Sequence, residues 1–268
     1  MTKEMPLGRT TPSPEKYDPA LLYPISRGEA QPGMHGFDLW RAYELSWIGP
    51  YGTPETAVLQ VVYPLQSKNI VESKSLKLYI NGMAGTCFAG RKDVVETIRR
   101  DLAGILDSPW IDVSLLTDRT GSYQGWTNEL PGSCIDGMDI GGIPDRPDPS
   151  VLRVLERRTT SEALFSHLFR SYCPITRQPD WASVLIEYRG GAIDRTALLR
   201  YLCSYRSYEG FSEQCCEEIY RDILAACAPE RLTVSCFYTR RGGIDINPVR
   251  STVERNPEET GIYRLLRQ

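Results

Sequence analysis

The sequence predicts an α+β protein in which antiparallel sheets carry helices packed on one face. Segments of alternating apolar residues occur in both halves of the chain, and each half also contains helical apolar spacing. The halves share a similar order, roughly strand, strand, helix or helices, strand, without strong sequence identity. Packing helices against one side of each sheet is the natural way to bury such apolar faces.

The first half shows this plan after a polar start. Residues 1–35 are rich in Pro and Gly, and we expect an irregular arm there rather than core. Alternation over 37–47 predicts a strand, and 57–64 predicts a second. Apolar residues at helical spacing over 91–106 predict an amphipathic helix, and 110–116 predicts another strand.

The second half repeats the order with one additional helix. Strands are predicted near 162–171 and over 181–188. Asp194 is then a plausible N-cap for a first helix, and a second helix spans about 212–226. Alternation over 232–238 predicts the last strand.

These segments divide the chain into two domains. The stretch GGIPDRPDPS at 141–150 is rich in Pro, Gly and Asp and is the best candidate linker. We therefore predict an arm at 1–35, an N-terminal domain at 36–140, the linker at 141–150, and a C-terminal domain at 151–268.

The composition indicates a soluble protein of the cytoplasm. The 268 residues are 41% hydrophobic and 24% charged, with a formal net charge of -3, so no whole-protein field attracts nucleic acid or an anionic membrane. Apolar runs fall short of the roughly 18–20 residues that cross a bilayer. The polar, Pro-rich start lacks the apolar region of a signal peptide.

The cysteines and histidines do not predict a metal site. The eight Cys are too irregularly spaced for a secreted disulfide framework, and no CxxC occurs. His35 and His167 are the two histidines, and neither has metal-ligand spacing from a cysteine. The chain also lacks GxGxxG, a complete P-loop, and a credible Ser-His-Asp set.

One string, SYCPITRQPDW, indicates thiol chemistry. Cys173 ends a predicted strand before a turn bounded by Pro174 and Pro179, and Asp180 follows seven residues after the cysteine. A hairpin-like turn could bring the two side chains together, so that the carboxylate accepts the thiol proton and later returns it. The alternative is a structural cysteine beside a turn Asp, because a carboxylate raises a thiol pKa.

A second string, VESKSLKLY, combines a carboxylate with two cations. Glu72 could accept hydrogen bonds from the N–H edge of a guanine-like base. Lys74 and Lys77 offer point charges to phosphates. The alternative is a solvated charged face.

Two further strings contain charged residues at the ends of predicted elements. In YTRRGGIDINP, Arg240 and Arg241 precede two glycines and could clamp an anion, or they form a basic hairpin tip. In GFSEQCCEEIY, Glu213 lies at a predicted helix start, where an acidic residue is also favoured by the helix dipole alone.

Together these strings resemble the long, two-domain form of the NADPH-dependent 7-cyano-7-deazaguanine reductases, the nitrile reductases of the queuosine pathway. The resemblance runs from about GFDLWRAYELSWIG to RRGGIDINP, and ESKSLKLY and CPITRQPDW are its specific parts. It implies tandem tunnelling-fold domains, with the catalytic cysteine in the second.

The resemblance also implies roles for individual residues. Cys173 matches the nucleophile that forms a covalent thioimide with the nitrile carbon, and Asp180 matches the acid/base. Glu72 and Glu213 match the carboxylates that hold the deazaguanine. The remaining matched positions contact the substrate (Val71, Ser73 and Ser212) or NADPH (Ser73, Lys74, Arg241 and Gly242).

One departure from the family pattern concerns Ser212. The family has Phe-His-Glu where this chain reads Phe211-Ser212-Glu213, and a serine cannot carry a proton near neutral pH as imidazole can. His167 is a poor substitute, because six extended residues separate it from Cys173 by roughly 20 Å. We expect adduct formation to survive and turnover to be slowed.

Three functions therefore remain open at this point. The first is the nitrile reductase, with no metal, no nucleic-acid partner, no membrane partner, and a homodimer as the expected assembly. The second is a binding protein that captures the deazaguanine as a thioimide with little turnover, which Ser212 favours. The third is a tunnelling-fold hydrolase of a pterin or purine, which usually needs a Cys/His metal site.

Overall fold

A computed structural model describes residues 5, 6, 8, 13–117, 129–257 and 263–268, without the side chains of 156 and 157. It contains two compact units. Both are discontinuous along the chain, and their segments are Met1–Gln31, Asp38–Gln124 and Arg240–Asp245 for the first unit, and Pro32–Phe37, Gly125–Thr239 and Ile246–Gln268 for the second.

The first unit combines strands with two amphipathic helices. Its elements are β1 (Pro24–Ser26), β2 (His35–Ile48, from Asp38 onward), β3 (Pro54–Pro64), β4 (Asn69–Val71), α1 (Ser73–Met83), α2 (Arg91–Leu106) and β5 (Asp112–Leu116). Strands β5, β3 and β2 are neighbours in that order, and β3 pairs antiparallel with β5. Helix α2 buries Ile98, Leu102 and Leu106 and packs against β5.

The N-terminal arm is more ordered than the sequence predicts. Leu22 is buried, and β1 pairs antiparallel with β4. Tyr17 donates its hydroxyl to the Asp101 carboxylate of α2. The expectation of an irregular arm outside the core is therefore wrong for 17–26, because single apolar and aromatic residues between the prolines anchor this stretch to the first unit.

The second unit has a longer sheet. Its elements are β6 (Ser133–Cys134), β7 (Val154–Tyr172), β8 (Pro179–Ile193), α3 (Arg195–Cys203), α4 (Ser212–Cys227), β9 (Arg231–Tyr238) and β10 (Ile244–Ser251, from Ile246 onward). The strand order is β10-β9-β8-β7-β6, antiparallel except for the short parallel pair of β6 with β7. Helix α4 packs on β9 and β8, and α3 packs on β7.

Local chemistry explains where the helices of this unit begin and end. The Asp194 carboxylate accepts hydrogen bonds from the backbone N–H groups of Thr196 and Ala197, at 3.0 and 3.1 Å, which caps α3. The residue that follows the last turn of α4, Ala228, adopts a left-handed conformation before Pro229 and terminates the helix. The prediction of Asp194 as an N-cap is confirmed.

The predicted class is confirmed, with antiparallel strands and helices packed on one face. The predicted strands and the helices at 91–106 and 212–226 are present, but β7 begins eight residues before the predicted 162 and β8 continues five residues beyond the predicted 188. Helix α1 and strands β1, β4, β6 and β10 were not predicted. Among the described residues, no helix has both the length and the apolar character needed to span a membrane.

In the described part of the chain, the second unit already includes 129–140, ahead of the linker expected at 141–150. Leu130 packs with Leu185, Phe237 and Leu265 in the second unit, and β6 pairs with β7. These contacts explain why 129–140 belongs with the second unit. The domain boundaries given above stay a prediction.

Candidate active site

The hairpin of β7 and β8 holds Cys173. The Cys173 N–H donates to the Gln178 carbonyl at 3.0 Å, and the Arg177 N–H donates to the Cys173 carbonyl at 2.9 Å. These bonds close the turn between the two strands. The Cys173 thiol is not in a disulfide, and the residue is 7% exposed.

The strand register places Asp180 on the same face as Cys173. Ser171 pairs with Asp180, and the bond to Gln178 continues the ladder at Cys173. Paired residues share a face, as do residues two apart on one strand. Cys173 and Asp180 are thus diagonal neighbours, with Cα atoms about 7–8 Å apart by sheet geometry. Their roles stay predictions.

The electrostatics of neighbouring groups show where the Asp180 carboxylate lies. Burial raises the pKa of the Cys215 thiol to about 12, and the carboxylates of Glu218 and Asp180 add to this rise. Burial also raises the pKa of Tyr238, again with a contribution from Asp180. Asp180 therefore faces the first turn of α4 and the end of β9.

The loop that leads into α4 is bound to the cysteine hairpin. The Tyr172 N–H donates to the Tyr208 carbonyl at 2.8 Å, and the Gly210 N–H donates to the Tyr172 carbonyl at 3.0 Å. The Arg177 guanidinium donates two hydrogen bonds to the Glu209 carboxylate, at 2.9 and 2.6 Å. These contacts bring the start of α4 to the turn that follows the cysteine.

Ser212 and Glu213 form the first residues of α4. The Ser212 carbonyl accepts a hydrogen bond from the Tyr238 hydroxyl at 3.4 Å, and Glu213 is 2% exposed. The structure therefore gathers Cys173, Asp180, Ser212 and Glu213 in the second unit. His167 is engaged elsewhere, with its Nδ1 at 2.7 Å from the Ser183 hydroxyl.

Glu72 lies in the first unit, where it caps helix α1. Its two carboxylate oxygens accept hydrogen bonds from the backbone N–H groups of Lys74 and Ser75, at 2.7 and 2.8 Å. Glu72 is 1% exposed, and burial raises the pKa of its carboxyl against the opposing effect of these two bonds. A carboxylate has about four acceptor positions, so its remaining positions can bind a ligand.

Lys77 joins α1 to the turn of Arg241 and Gly242. Its ammonium donates to the Gly242 carbonyl at 2.6 Å and to the Glu44 carboxylate at 2.5 Å. Gly242 has a φ of 58°, a left-handed conformation that favours glycine. Ser73 and Lys74 begin the helix that contains Lys77. The bond from Lys77 to Gly242 therefore connects the two pairs of residues that are predicted to contact NADPH, Ser73 and Lys74 on α1 and Arg241 and Gly242 on the turn.

The same turn is supported from its other side. The Arg240 guanidinium lies 3.9 Å from the centroid of the Tyr43 ring, and the Tyr43 hydroxyl donates to Asp245 at 2.7 Å. Val71 lies in β4, where its side chain is buried and its backbone belongs to the β1–β4 pair.

Sequence reasoning missed the structural roles of Lys77 and of the Arg177–Glu209 pair. The helix that positions Lys77 could have been predicted, because Leu76, Ile80 and Met83 follow helical spacing. No comparable signal exists for the pair, because its members are 32 positions apart.

Two family models match separate parts of this chain. A family model described as nitrile reductase, 7-cyano-7-deazaguanine-reductase N-term, matches residues 13–115. A second, described as QueF-like protein, matches residues 179–257. A solved structure of the archaeosine synthase QueF-Like in the apo form covers 35% of this chain and 91% of its own, at 22% identity and a TM-score of 0.31, which is too low to carry an argument.

Two curated relatives match over nearly their whole length. Both are named NADPH-dependent 7-cyano-7-deazaguanine reductase. The protein of Desulfotalea psychrophila is 44% identical over 98% of this chain and 97% of its own. That of Paraburkholderia phymatum is 42% identical over 94% of each chain.

These matches place the chain among the nitrile reductases. It belongs to the family of NADPH-dependent 7-cyano-7-deazaguanine reductases, and the resemblance seen in the sequence is confirmed.

Proposed function

We propose that this chain reduces the nitrile of 7-cyano-7-deazaguanine to an aminomethyl group with NADPH, in the biosynthesis of the queuosine tRNA modification. The observation that carries this proposal is 44% identity to a reductase of that name over 98% of the chain. The Cys173–Asp180 hairpin supplies groups suited to the chemistry.

The first step is addition of the Cys173 sulfur to the nitrile carbon. A sulfur–carbon bond forms, one π bond of the nitrile breaks, and the nitrogen takes up a proton to give a thioimide. Asp180, on the same face of the hairpin, accepts the thiol proton and returns it to that nitrogen. The addition turns a poor hydride acceptor into an imine-like one.

The reduction then needs two hydrides and two protons. NADPH supplies the hydrides when bound. The first hydride adds to the thioimide carbon, and the carbon–sulfur bond breaks to release the thiolate and leave an imine. The second hydride would add to the imine carbon, with Asp180 delivering a proton to the nitrogen to give the amine, and the other proton would restore the Cys173 thiol.

The substrate is held by carboxylates from two helix starts. Glu72 and Glu213 are both buried, and each can accept hydrogen bonds from the N–H edge of the deazaguanine. The backbone N–H groups of α1 fix the orientation of the Glu72 carboxylate. Val71, Ser73 and Ser212 flank these two acids in the chain and complete the proposed substrate contacts.

The residues proposed for NADPH fit a phosphate-bearing cofactor. Lys74 and Arg241 are cations, and the turn at Gly242 exposes backbone close to the Lys77 side chain. A Cβ at Gly242 would lie 3.2 Å from the Lys77 Cδ, so the turn approaches the helix as closely as a glycine allows. Ser73, Lys74, Arg241 and Gly242 would therefore hold the phosphates and ribose.

The second candidate function is capture of the nitrile with little turnover. It is favoured by Ser212, which stands where the family has a histidine and begins α4 next to Glu213. A serine hydroxyl can bind the substrate but does not exchange a proton near neutral pH. Under this alternative the thioimide forms normally and persists when NADPH is present.

The deciding experiment is intact-mass measurement after incubation with 7-cyano-7-deazaguanine, with and without NADPH. We expect an adduct on the wild-type protein without NADPH, its loss with NADPH, and formation of the amine. Cys173→Ala should carry no adduct, whereas Cys134→Ala, which removes an exposed thiol of the same unit, should behave as wild type. An adduct on Cys173→Ala would refute the mechanism, and an adduct that outlasts NADPH would favour capture.

We also infer that the protein acts as a cytoplasmic homodimer without a nucleic-acid or membrane partner. Tunnelling-fold sites commonly form where subunits meet, and the near-neutral charge balance supports the absence of polyanionic partners. Sedimentation equilibrium at several protein concentrations tests the assembly, and a monomer throughout would contradict it.

A further inference from the structure

Three arginines of the second unit surround one indole. The guanidinium carbons of Arg170, Arg206 and Arg267 lie 5.6, 5.5 and 5.4 Å from the centroid of the Trp181 ring. They come from three separate segments, namely β7, the 3-10 helix Ser204–Ser207, and the residues after 262. All three distances are within the roughly 6 Å at which a cation is attracted to the face of an aromatic ring.

The charges of this arginine–tryptophan cluster are not balanced by acids. Among the described residues, no carboxylate lies within ion-pair distance of any of the three guanidinium groups. Arg170 donates to the Tyr172 hydroxyl at 2.6 Å, and Arg267 donates to the His167 carbonyl at 2.8 Å. Both acceptors are neutral, so the cluster keeps its full positive charge.

Arg206 is the least satisfied of the three. Its Nε is buried and has no hydrogen-bond partner among the described residues, although a guanidinium carries five N–H donors. Burying a cation without a counter-charge is unfavourable, and the nearby like charges increase the cost. The cluster therefore has donors and charge in excess of what the protein itself uses.

The cluster is separate from the candidate active site. Arg170 pairs with Trp181 across the β7–β8 hairpin, whereas Ser171 pairs with Asp180. Adjacent positions on a strand point to opposite faces of a sheet. The cluster consequently lies on the face of the hairpin opposite to Cys173 and Asp180.

We propose that Arg170, Arg206, Arg267 and Trp181 form a binding site for a phosphate-type oxyanion, such as the phosphate group of a small metabolite. Guanidinium groups match phosphate oxygens through paired N–H donors, and three of them together favour a multiply charged anion over a monovalent one. Arg267 is exposed and Arg170, Arg206 and Trp181 are half-buried, so an anion can reach the cluster from solvent.

The test uses pyrophosphate as the probe, at constant ionic strength in a chloride buffer. Isothermal titration calorimetry should show saturable binding to the wild-type chain. Arg206→Gln should weaken it by about tenfold or more, as loss of one charge-assisted contact predicts. Arg99→Gln removes an exposed arginine of the first unit, makes the same change in net charge, and should leave the affinity within about twofold of wild type.

Two results would overturn the proposal. One is the absence of saturable pyrophosphate binding to the wild-type chain, and the other is equal affinity of wild type and Arg206→Gln. If Arg206→Gln does not fold, Arg267→Gln takes its place, because its exposed side chain can be changed without opening the core. That variant is expected to show the same loss of affinity.

A second arm identifies the source of the phosphate group. If pyrophosphate competes with NADPH for the wild-type chain and Arg206→Gln weakens NADPH binding as well, the anion that the cluster binds in the cell is a phosphate of the cofactor. If pyrophosphate binds without changing the NADPH affinity, the anion bound in the cell is the phosphate group of a separate phosphorylated metabolite. Both results support an oxyanion site, and they can be told apart without relying on turnover.

Discussion

Glu72 combines two functions that substitution can separate. Its carboxylate caps α1 through the N–H groups of Lys74 and Ser75, and we propose that it also binds the deazaguanine. Glu72→Ala removes both functions. Glu72→Asp retains a carboxylate, and Asp is among the preferred N-cap residues, but its side chain is shorter by one methylene, about 1.5 Å.

The expected magnitudes follow from these contacts. Loss of an N-cap side chain costs about 1 kcal/mol, and for a chain of this size that lowers Tm by about 2–4 °C. Glu72→Ala also removes a carboxylate whose burial is unfavourable, and this gain offsets part of the stability that is lost with the cap. Glu72→Asp should stay within about 0.5 kcal/mol of wild type, because the cap is preserved.

Substrate affinity should respond differently from stability. A hydrogen bond to a charged group is worth about 1.5–3 kcal/mol, so both variants should bind 7-cyano-7-deazaguanine about 10–150-fold more weakly. Urea unfolding measures the first effect, and calorimetric titration of the Cys173→Ala background, which prevents adduct formation, measures the second. Wild-type affinity in Glu72→Asp, or wild-type stability in Glu72→Ala, would refute the reasoning.

Three further predictions concern proton transfer, pH and the cysteine turn. Ser212→His should increase NADPH oxidation by about 10-fold or more, because it supplies a group that titrates near neutral pH; an unchanged rate counts against that role. Burial raises the Glu72 pKa in the folded state above the ordinary value of 4.5. Wild type should therefore lose stability relative to Glu72→Gln as the pH of the urea titrations rises above that value, and a constant difference in the free energy of unfolding would contradict this. Arg177→Gly relieves a left-handed φ of 54° but removes the exposed ion pair with Glu209. Because these effects oppose each other, the free energy of unfolding should change by less than about 1 kcal/mol in urea titrations. A loss above about 2 kcal/mol would show that the ion pair has a larger role.

The fold class could be read from the sequence where local patterns dominate. Helix α2 has the bounds that the sequence predicts, because its apolar residues repeat at helical spacing. Strand β2 is predicted from a different local pattern, the alternation of apolar residues over 37–47. Strand β10 was missed because Asp245, Asn247 and Arg250 interrupt its apolar alternation, and their burial depends on partners far away in sequence, such as Glu217 for Arg250.

The candidate site was predictable only in its residues, not in its arrangement. Local spacing made Cys173 and Asp180 candidates beside the alternative of a structural cysteine, and the resemblance supplied their roles. The register explains why a separation of seven positions puts both on one face. Glu72 was expected as a ligand group beside two cations, whereas its role as a helix cap depends on α1, which was not predicted. Tertiary hydrogen bonds such as that from Lys77 to Gly242 leave no trace in local sequence patterns.

The structure also explains why Cys173, and not Cys215, is suited to act as the nucleophile. Both thiols lie near Asp180, but Cys215 is fully buried in α4, and burial raises its pKa to about 12, so it stays protonated and inert at neutral pH. Cys173 instead ends a strand at a turn, where it keeps some exposure and where the Pro174–Pro179 connection fixes its direction. Under the proposed mechanism, the same carboxylate can therefore serve Cys173 as a proton carrier while it helps to keep Cys215 neutral.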